Sequence, residues 1–212
     1  MADTIGIDDI GRMIRTAADK IRANRDDLSK LDSAIGDGDH GMTIARAMGI
    51  AEKVIEESEK KELKGLLKDV GWGVMGVDGG ATGPLLGSFL MGLSNGIDEL
   101  ETVDCPMLAA MFEAGLAGVR RQSKAQIGDK TMMDALLPAV DAMRQAADAE
   151  KSITEALQAA AEAAEKGAIS TKDFRAKFGR AKNLGDRTIG CQDPGATSMA
   201  LILQGFFEGS QQ

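Results

Sequence analysis

The chain has 212 residues, 43% of them hydrophobic and 27% charged, ordinary values for one soluble globular domain with a core of its own. Aromatics are only 3%, six Phe, one Trp and no Tyr, which argues against a sandwich or barrel of strands. A net charge of −8, from 25 Lys and Arg against 33 Asp and Glu, repels phosphate backbones and anionic lipid, so no nucleic acid and no membrane surface is expected as a partner. Cys105 and Cys191 lie far apart and match no metal spacing, so they read as reduced thiols. The N-terminal stretch MADTIGIDDIGRM lacks an apolar signal core, and no apolar run approaches the ~18 residues of a spanning helix. A cytoplasmic location is therefore expected.

Apolar residues recur at steps of three and four at Ile7, Ile10, Ile14, Ala17, Ile21, Leu28 and Leu31, with Asn24 in the one polar slot, and predict one long amphipathic helix. Ile44, Ala47, Met48, Ala51, Val54 and Ile55 predict a second, and Leu63, Leu66, Leu67, Val70 and Val74 a third. Pro84 at a first-turn position opens a fourth through Leu93, and Asp104 with Pro106 a fifth through Val119. Met132, Met133, Leu136, Val140 and Met143 mark the sixth. A capping box of Ser152 with Glu155 heads the seventh, to about Lys166, and Ala196 to Phe206 carry the last. Strand alternation is nowhere sustained. The expected fold is all-α, an eight-helix antiparallel up-and-down barrel or bundle forming a single domain over 1–212.

In such a bundle alternate junctions share an end. The odd junctions read Gly36-Asp37-Gly38-Asp39-His40-Gly41-Met42-Thr43, Asp78 to Pro84, Lys124 to Thr131 and Gly179 to Gly195; the even ones, around Glu59, Asn95 to Glu101 and Ala149, are plain polar turns. Fifteen of the 26 glycines fall in 36–43, 71–87, 124–131 and 179–195, where an even spread would place about six. One pole thus collects glycine, Asp, hydroxyls and Arg.

Asp32, Asp37 and Asp39, with no Cys or second His nearby, suit a hard cation such as Mg²⁺ or Ca²⁺ and are poor for zinc. The loop has no EF-hand spacing. Because Mg²⁺ combines a few carboxylates with substrate phosphates, a phosphate site is expected close by. Gly41-Met42-Thr43 and Gly79-Gly80-Ala81-Thr82-Gly83-Pro84 lead into helix N-termini, where free N–H groups, the helix dipole and the hydroxyl of Thr43 or Thr82 make anion sites. The chain has no P-loop, and no strand to carry a dinucleotide fingerprint. Arg180, Lys182 and Arg187 supply cations at this pole. His40, the only histidine, reads as a group that holds a phosphate or orients a ligand. Met132 and Met133 read either as core or as an apolar platform for a purine ring.

Four motifs, LDSAIGDGDHG at 31–41, GGATGP at 79–84, GDKTM at 128–132 and GRAKNLGDRTIGCQDPGATS at 179–198, stand in the order found in the nucleotide-binding L subunit of dihydroxyacetone kinase, which the sequence resembles over nearly its whole length. The resemblance implies a barrel of eight antiparallel helices holding ADP or ATP at one end, with two Mg²⁺ ions bound by three aspartates and the phosphates. Carried over by position, it makes Asp32, Asp37 and Asp39 the Mg²⁺ ligands. His40, Gly41, Met42 and Thr43 would line the β-phosphate side, with Gly80, Ala81 and Thr82 facing them from the second glycine loop. Met132 would pack on adenine, Arg180 would reach a phosphate, and Asp193, Pro194 and Gly195 would border the nucleotide. Ser123 stands near the nucleotide where the family often has Gly, and Cys191 where it often has His.

In that family the ketose is held covalently by a histidine of a separate K subunit, so no catalytic residue beyond the metal and phosphate ligands is expected here. The implied activity is transfer of the γ-phosphoryl of Mg-bound ATP to a short-chain ketose. In a second form of the family the donor is a resident ADP rephosphorylated by a phosphotransferase-system protein. Expected partners are a K-type substrate-binding subunit and, in that second form, the phosphotransferase-system donor; a homodimer stands as a further arrangement. The alternatives are a subunit of a related ketose kinase, such as an erythrulose kinase, and a non-catalytic nucleotide-sensing or regulatory module. A carboxylate-metal helical bundle without nucleotide would predict E-x-x-H motifs inside helices, and these are absent.

Overall fold

The computed structural model describes residues 4–212. The first three residues of the N-terminal stretch discussed above lie outside the described residues. Among the described residues are nine α-helices: α1 Ile7–Ala23, α2 Arg25–Ile35, α3 His40–Glu56, α4 Leu63–Met75, α5 Thr82–Ser94, α6 Cys105–Gln122, α7 Met133–Asp148, α8 Ile153–Ser170 and α9 Pro194–Gly209. Eight of them form a ring. α1 packs on α3, each helix from α3 onward packs on the next, and α9 returns to α1. α2 crosses one end and touches α3, α9 and the 3₁₀ segment Arg180–Thr188.

The first helix of the periodicity is therefore two. At Asn24 the side-chain Nδ2 donates to the Lys20 carbonyl at 2.9 Å and the backbone leaves helical geometry at φ −104°, ψ 8°. A short amide that bonds its own backbone competes with helix continuation, and here it ends α1 and redirects the chain. The sequence also predicts no strand. Ile5–Gly6 (β1) nevertheless pairs antiparallel with Thr102–Val103 (β2), Ile5 opposite Val103. Two residues are too few for alternation to register.

The barrel interior is apolar. Met13 and Ile14 from α1, Leu67 from α4, Leu90 from α5, Phe112 from α6 and Phe206 from α9 surround a residual void of about 10 Å³. Phe89 and Phe112 meet edge to face with ring centroids 5.8 Å apart. Helix parity holds as the sequence requires: α3, α5, α7 and α9 all begin at the pole that carries the glycine and Asp loops.

Part of the glycine clustering has another cause. Gly71 and Gly87, counted above with the second glycine loop, lie inside α4 and α5, where a Cβ would sit 2.4 Å from the Met91 nitrogen and 2.7 Å from the Met75 Cα. They let two backbones touch. The same device closes the ring, because a Cβ on Gly205 would lie 2.3 Å from the Ala17 Cα. Gly205→Ala is expected to lower stability by about 1–3 kcal/mol in urea unfolding, since α1 and α9 must separate to admit the methyl group. Gly49→Ala, at a mid-helix position of α3 with nothing within 4 Å of the new atom, is expected to raise it by ~0.5–1 kcal/mol.

Candidate functional site

A cavity of about 650 Å³ opens at the pole where α3, α5, α7 and α9 begin. Its walls come from the end of α2 with the loop after it, the Gly79–Thr82 turn, the starts of α7 and α9, and the strap that joins α8 to α9. The deeper lining is apolar, with Ile35, Ile44, Leu86, Met133, Met199 and Ile202.

Asp32 lies in the last turn of α2, Asp37 in the connecting loop and Asp39 directly before α3. Each offers one carboxylate oxygen, and the three atoms lie within 4.8 Å of one another. An all-oxygen set at this spacing fits a hard divalent cation and offers nothing to a soft one. The Asp32 Oδ2 accepts the His40 backbone N–H at 3.1 Å. Arg180, reaching across from the strap, pairs with Asp37 and lies 3.8 Å from the Asp39 carboxylate.

Two of the four helix starts are left open. The residues preceding α3 and α5 supply no side-chain cap, and apart from the His40 N–H taken by Asp32 the first-turn N–H groups face this pole with the positive end of each helix dipole. The other two are closed by side-chain oxygens, α9 by the Asp193 carboxylate and α7 by the Thr131 hydroxyl, which accepts the Met133 N–H at 3.2 Å. Asp193 caps α9 through the Ala196 N–H at 2.7 Å, and Asp134 accepts from Gly128 N at 2.6 Å and Thr131 N at 2.7 Å beside the start of α7. Anion capacity is thus concentrated on α3 and α5, beside the carboxylate cluster.

His40 ties the two open helices to α9. Its Nε2 lies 3.0 Å from Ser198 Oγ, and its Nδ1 lies 3.3 Å from Thr82 Oγ1. Burial pushes the imidazole below its usual range, against the opposing pull of the Asp32 charge and a hydrogen bond with the Pro194 backbone. The ring is neutral at pH 7, with one nitrogen a donor and the other an acceptor. Asp193 is buried as well, and loss of solvent raises its carboxyl to about 7, although the Ala196 N–H and Lys130 oppose the shift.

Most of the residues singled out in the sequence line this one cavity. Asp32, Asp37, Asp39 and His40 form one side, Gly80, Ala81 and Thr82 the next. Ser123, Met132 and Arg180 stand across from them, with Asp193, Pro194 and Gly195 beside Met132. Gly41, Met42 and Thr43 stay off the lining. A Cβ on Gly41 would strike the Arg25 carbonyl at 2.0 Å, so this glycine seats α3 against α2. Met42 is 52% exposed, and Thr43 is buried beneath the turn at Gly79.

The sequence reading missed Phe178 and Asn183, both on the cavity wall. They belong to a strap whose 3₁₀ segment Arg180–Thr188 breaks at Gly185 (φ 60°), a geometry without the 3.6-residue period that exposes α-helices in a sequence. The one available signal was Phe178 itself, an aromatic next to Gly179 in a chain with only seven aromatics.

The DAK2 domain family matches residues 34–208. The ADP-binding subunit DhaL of PEP-dependent dihydroxyacetone kinase 1 from Listeria innocua is 36% identical over 197 residues, 93% of each chain. The DhaL subunit of the Escherichia coli PEP-dependent enzyme is 38% identical over 177 residues, 84% of each. D-Erythrulose kinase of Mycolicibacterium smegmatis is 31% identical over 91% of this chain but only 33% of its own length. Among solved structures, the C. freundii dihydroxyacetone kinase superposes with a TM-score of 0.71 at 25% identity in its native form, and 0.69 at 25% in its complex with AMP-PNP and Mg²⁺. This chain covers 94% and 93% of itself in those matches, and 34% and 33% of the kinase chain. Fold and pole together define a helical barrel with a cavity at the starts of alternate helices. The chain belongs to the DAK2 domain family, alongside the ADP-binding DhaL subunits of dihydroxyacetone kinases.

The Asp193 carboxyl makes a titration test. An acid whose folded pKa is raised contributes fully below its unfolded value near 3.8 and loses that contribution as pH rises to about 7. Asn caps a helix as well as Asp does. Asp193→Asn is therefore expected to remove a loss of stability that the wild-type chain shows between these two pH values, measured by urea unfolding of both proteins across the range.

Proposed function

We propose that this chain is the nucleotide-holding, phosphoryl-donating subunit of a dihydroxyacetone-type kinase. It acts in the cytoplasm with a separate K-type subunit that holds a short-chain ketose. The observation that carries the reading is the adjoining pair of features in one cavity: three carboxylate oxygens within 4.8 Å, and beside them Arg180 with the starts of α3 and α5. Cation ligands and anion donors of this kind, side by side, suit a metal-bound polyphosphate.

Asp32, Asp37 and Asp39 would hold the metal in this reading, two Mg²⁺ ions. Mg²⁺ bound there neutralises charge on the phosphate oxygens. The chain itself supplies position. N–H groups of the first turns of α3 and α5 take phosphate oxygens, and Arg180 exchanges its Asp37 partner for a phosphate. Neutral His40, fixed between Thr82 and Ser198, keeps the two helix starts in register without adding charge. Met132 and Phe178 border the base, and Ser123, Asp193, Pro194 and Gly195 complete that wall. No side chain here is asked to act as nucleophile or general base, which fits a reaction carried by positioning and charge stabilisation.

Support for the resident form of the nucleotide comes from the relatives that match along most of their length. Those of Listeria innocua and Escherichia coli are named ADP-binding subunits of PEP-dependent kinases, and that of Lactococcus lactis a PTS-dependent one. In this form ADP stays bound and is rephosphorylated in place by a phosphotransferase-system protein. Dihydroxyacetone is the leading acceptor. Erythrulose is the second, since erythrulose kinases match over a third of their length.

Asp37→Asn is expected to weaken Mg²⁺-dependent ADP binding by ~10-fold or more in calorimetry, while far-ultraviolet circular dichroism stays unchanged. Unchanged ADP affinity would contradict the metal assignment. Mixed with a K subunit and a phosphoryl donor, the wild-type chain is expected to sustain phosphorylation of dihydroxyacetone. Binding of Mg·ADP without turnover on any K partner would favour a nucleotide sensor instead.

A further inference from the structure

Lys130 is the buried cation of this pole. It is 2% exposed although it stands in the wall of the cavity, it forms no ion pair with an aspartate, and the phosphate-binding role proposed above makes no use of it. Its ammonium donates to the Thr171 carbonyl at 2.5 Å and also to the Cys191 carbonyl. Those two carbonyls are the roots of the strap, one where the chain leaves α8 and the other just before it enters α9. A single side chain from a third segment therefore holds both ends of a loop of about twenty residues.

Other contacts make the joint a built one. The Asp193 N–H donates to Thr171 Oγ1 at 2.9 Å, and the Gly190 N–H to the Lys172 carbonyl at 2.7 Å, so the two legs are stitched together above the lysine. Lys130 adopts φ 62°, a left-handed conformation that a lysine enters at a cost and keeps only when its surroundings demand it. The buried Asp134 carboxylate makes that demand, taking the N–H groups of Gly128 and Thr131 on either side. Burial lowers the lysine's pKa, offset by Asp193, Cys191, Asp134 and Asp173 around it.

What the strap carries decides the consequence. Phe178, Gly179, Arg180 and Asn183 project from it into the cavity, and Arg180 arrives beside Asp37 and Asp39. Arg180 itself is largely exposed, so its own ion pair cannot fix the strap. We infer that Lys130 is a positioning residue: by clamping the Thr171 and Cys191 carbonyls it sets the height of the strap and so places Arg180 over the three carboxylates, without touching the ligand. This rests on the nucleotide reading above for its functional consequence, though the clamp can be tested apart from it.

The test uses Lys130→Met, Arg180→Ala and the double variant, read by hydrogen exchange of the free chain and by Mg·ADP affinity. In Lys130→Met the amides of residues 172–190 are expected to exchange ~10-fold faster or more while those of α1, α5 and α9 keep their rates. Each single variant is expected to weaken Mg·ADP by ~10-fold, and the double variant no further than Arg180→Ala alone, because the lysine acts through the arginine. Unchanged exchange across 172–190 overturns the clamp. Additive losses also overturn the inference, since they mean that Lys130 touches the ligand itself. If Arg180→Ala leaves affinity intact, the nucleotide reading falls while the exchange data still decide the clamp. Should Lys130→Met lose its helical spectrum, Thr171→Val removes the acceptor of the Asp193 N–H at the same joint and is expected to give the same exchange pattern.

Discussion

Three carboxylates held with their oxygens within 4.8 Å repel one another, and the whole pole is arranged around that repulsion. Two unit charges about 4 Å apart interact by ~1 kcal/mol in water and ~4 kcal/mol at the effective dielectric of a protein surface. An isolated turn would relax by spreading the side chains. Here the last turn of α2, the short loop and the start of α3 fix the backbone, and Gly36 permits the tight exit because any side chain there would meet Asp32 at 2.2 Å. Compensation has to come from outside the cluster, and two sources stand beside it: the N-terminal dipoles of α3 and α5, and Arg180; the spacing of the oxygens also suits a hard cation.

The strap is the piece that brings a basic side chain to this cluster. In a chain of net charge −8, residues 172–187 carry six basic and two acidic side chains. That local excess sits on a segment with little α-helical order of its own, held at its base by Lys130 and midway by Lys177 on Asp129. Charge of the opposite sign is thus delivered to the carboxylates by a loop rather than by a packed helix.

The ring of helices was legible because its signal is additive. Period-3.6 apolar faces from Ile7 to Phe206 specify eight packed helices, and counting junctions is then enough to put all four glycine and Asp loops at one end. Two things escaped that logic. The break at Asn24 depends on one side-chain amide finding the Lys20 carbonyl, and Asn at that position of a helical pattern carries no such information. Glycine was ambiguous, because the same residue serves Gly80 in the open turn and Gly71, Gly87 and Gly205 where helix backbones touch. Composition records both and separates neither. The site followed the same division: Asp32, Asp37 and Asp39 were visible as a triplet near one helix end, whereas Lys130, aimed inward by Asp134 and a left-handed backbone, looks in the sequence like one more surface lysine.

The central claim is that Asp32, Asp37 and Asp39 bind a cation jointly with nucleotide phosphates. Crystals grown with ADP and Mn²⁺ and measured at the manganese edge test it directly. Anomalous density is expected between the three carboxylates, bridged to phosphate oxygens that reach the N-termini of α3 and α5, with Arg180 turned away from Asp37. Nucleotide bound elsewhere, or manganese density away from all three aspartates, would contradict it.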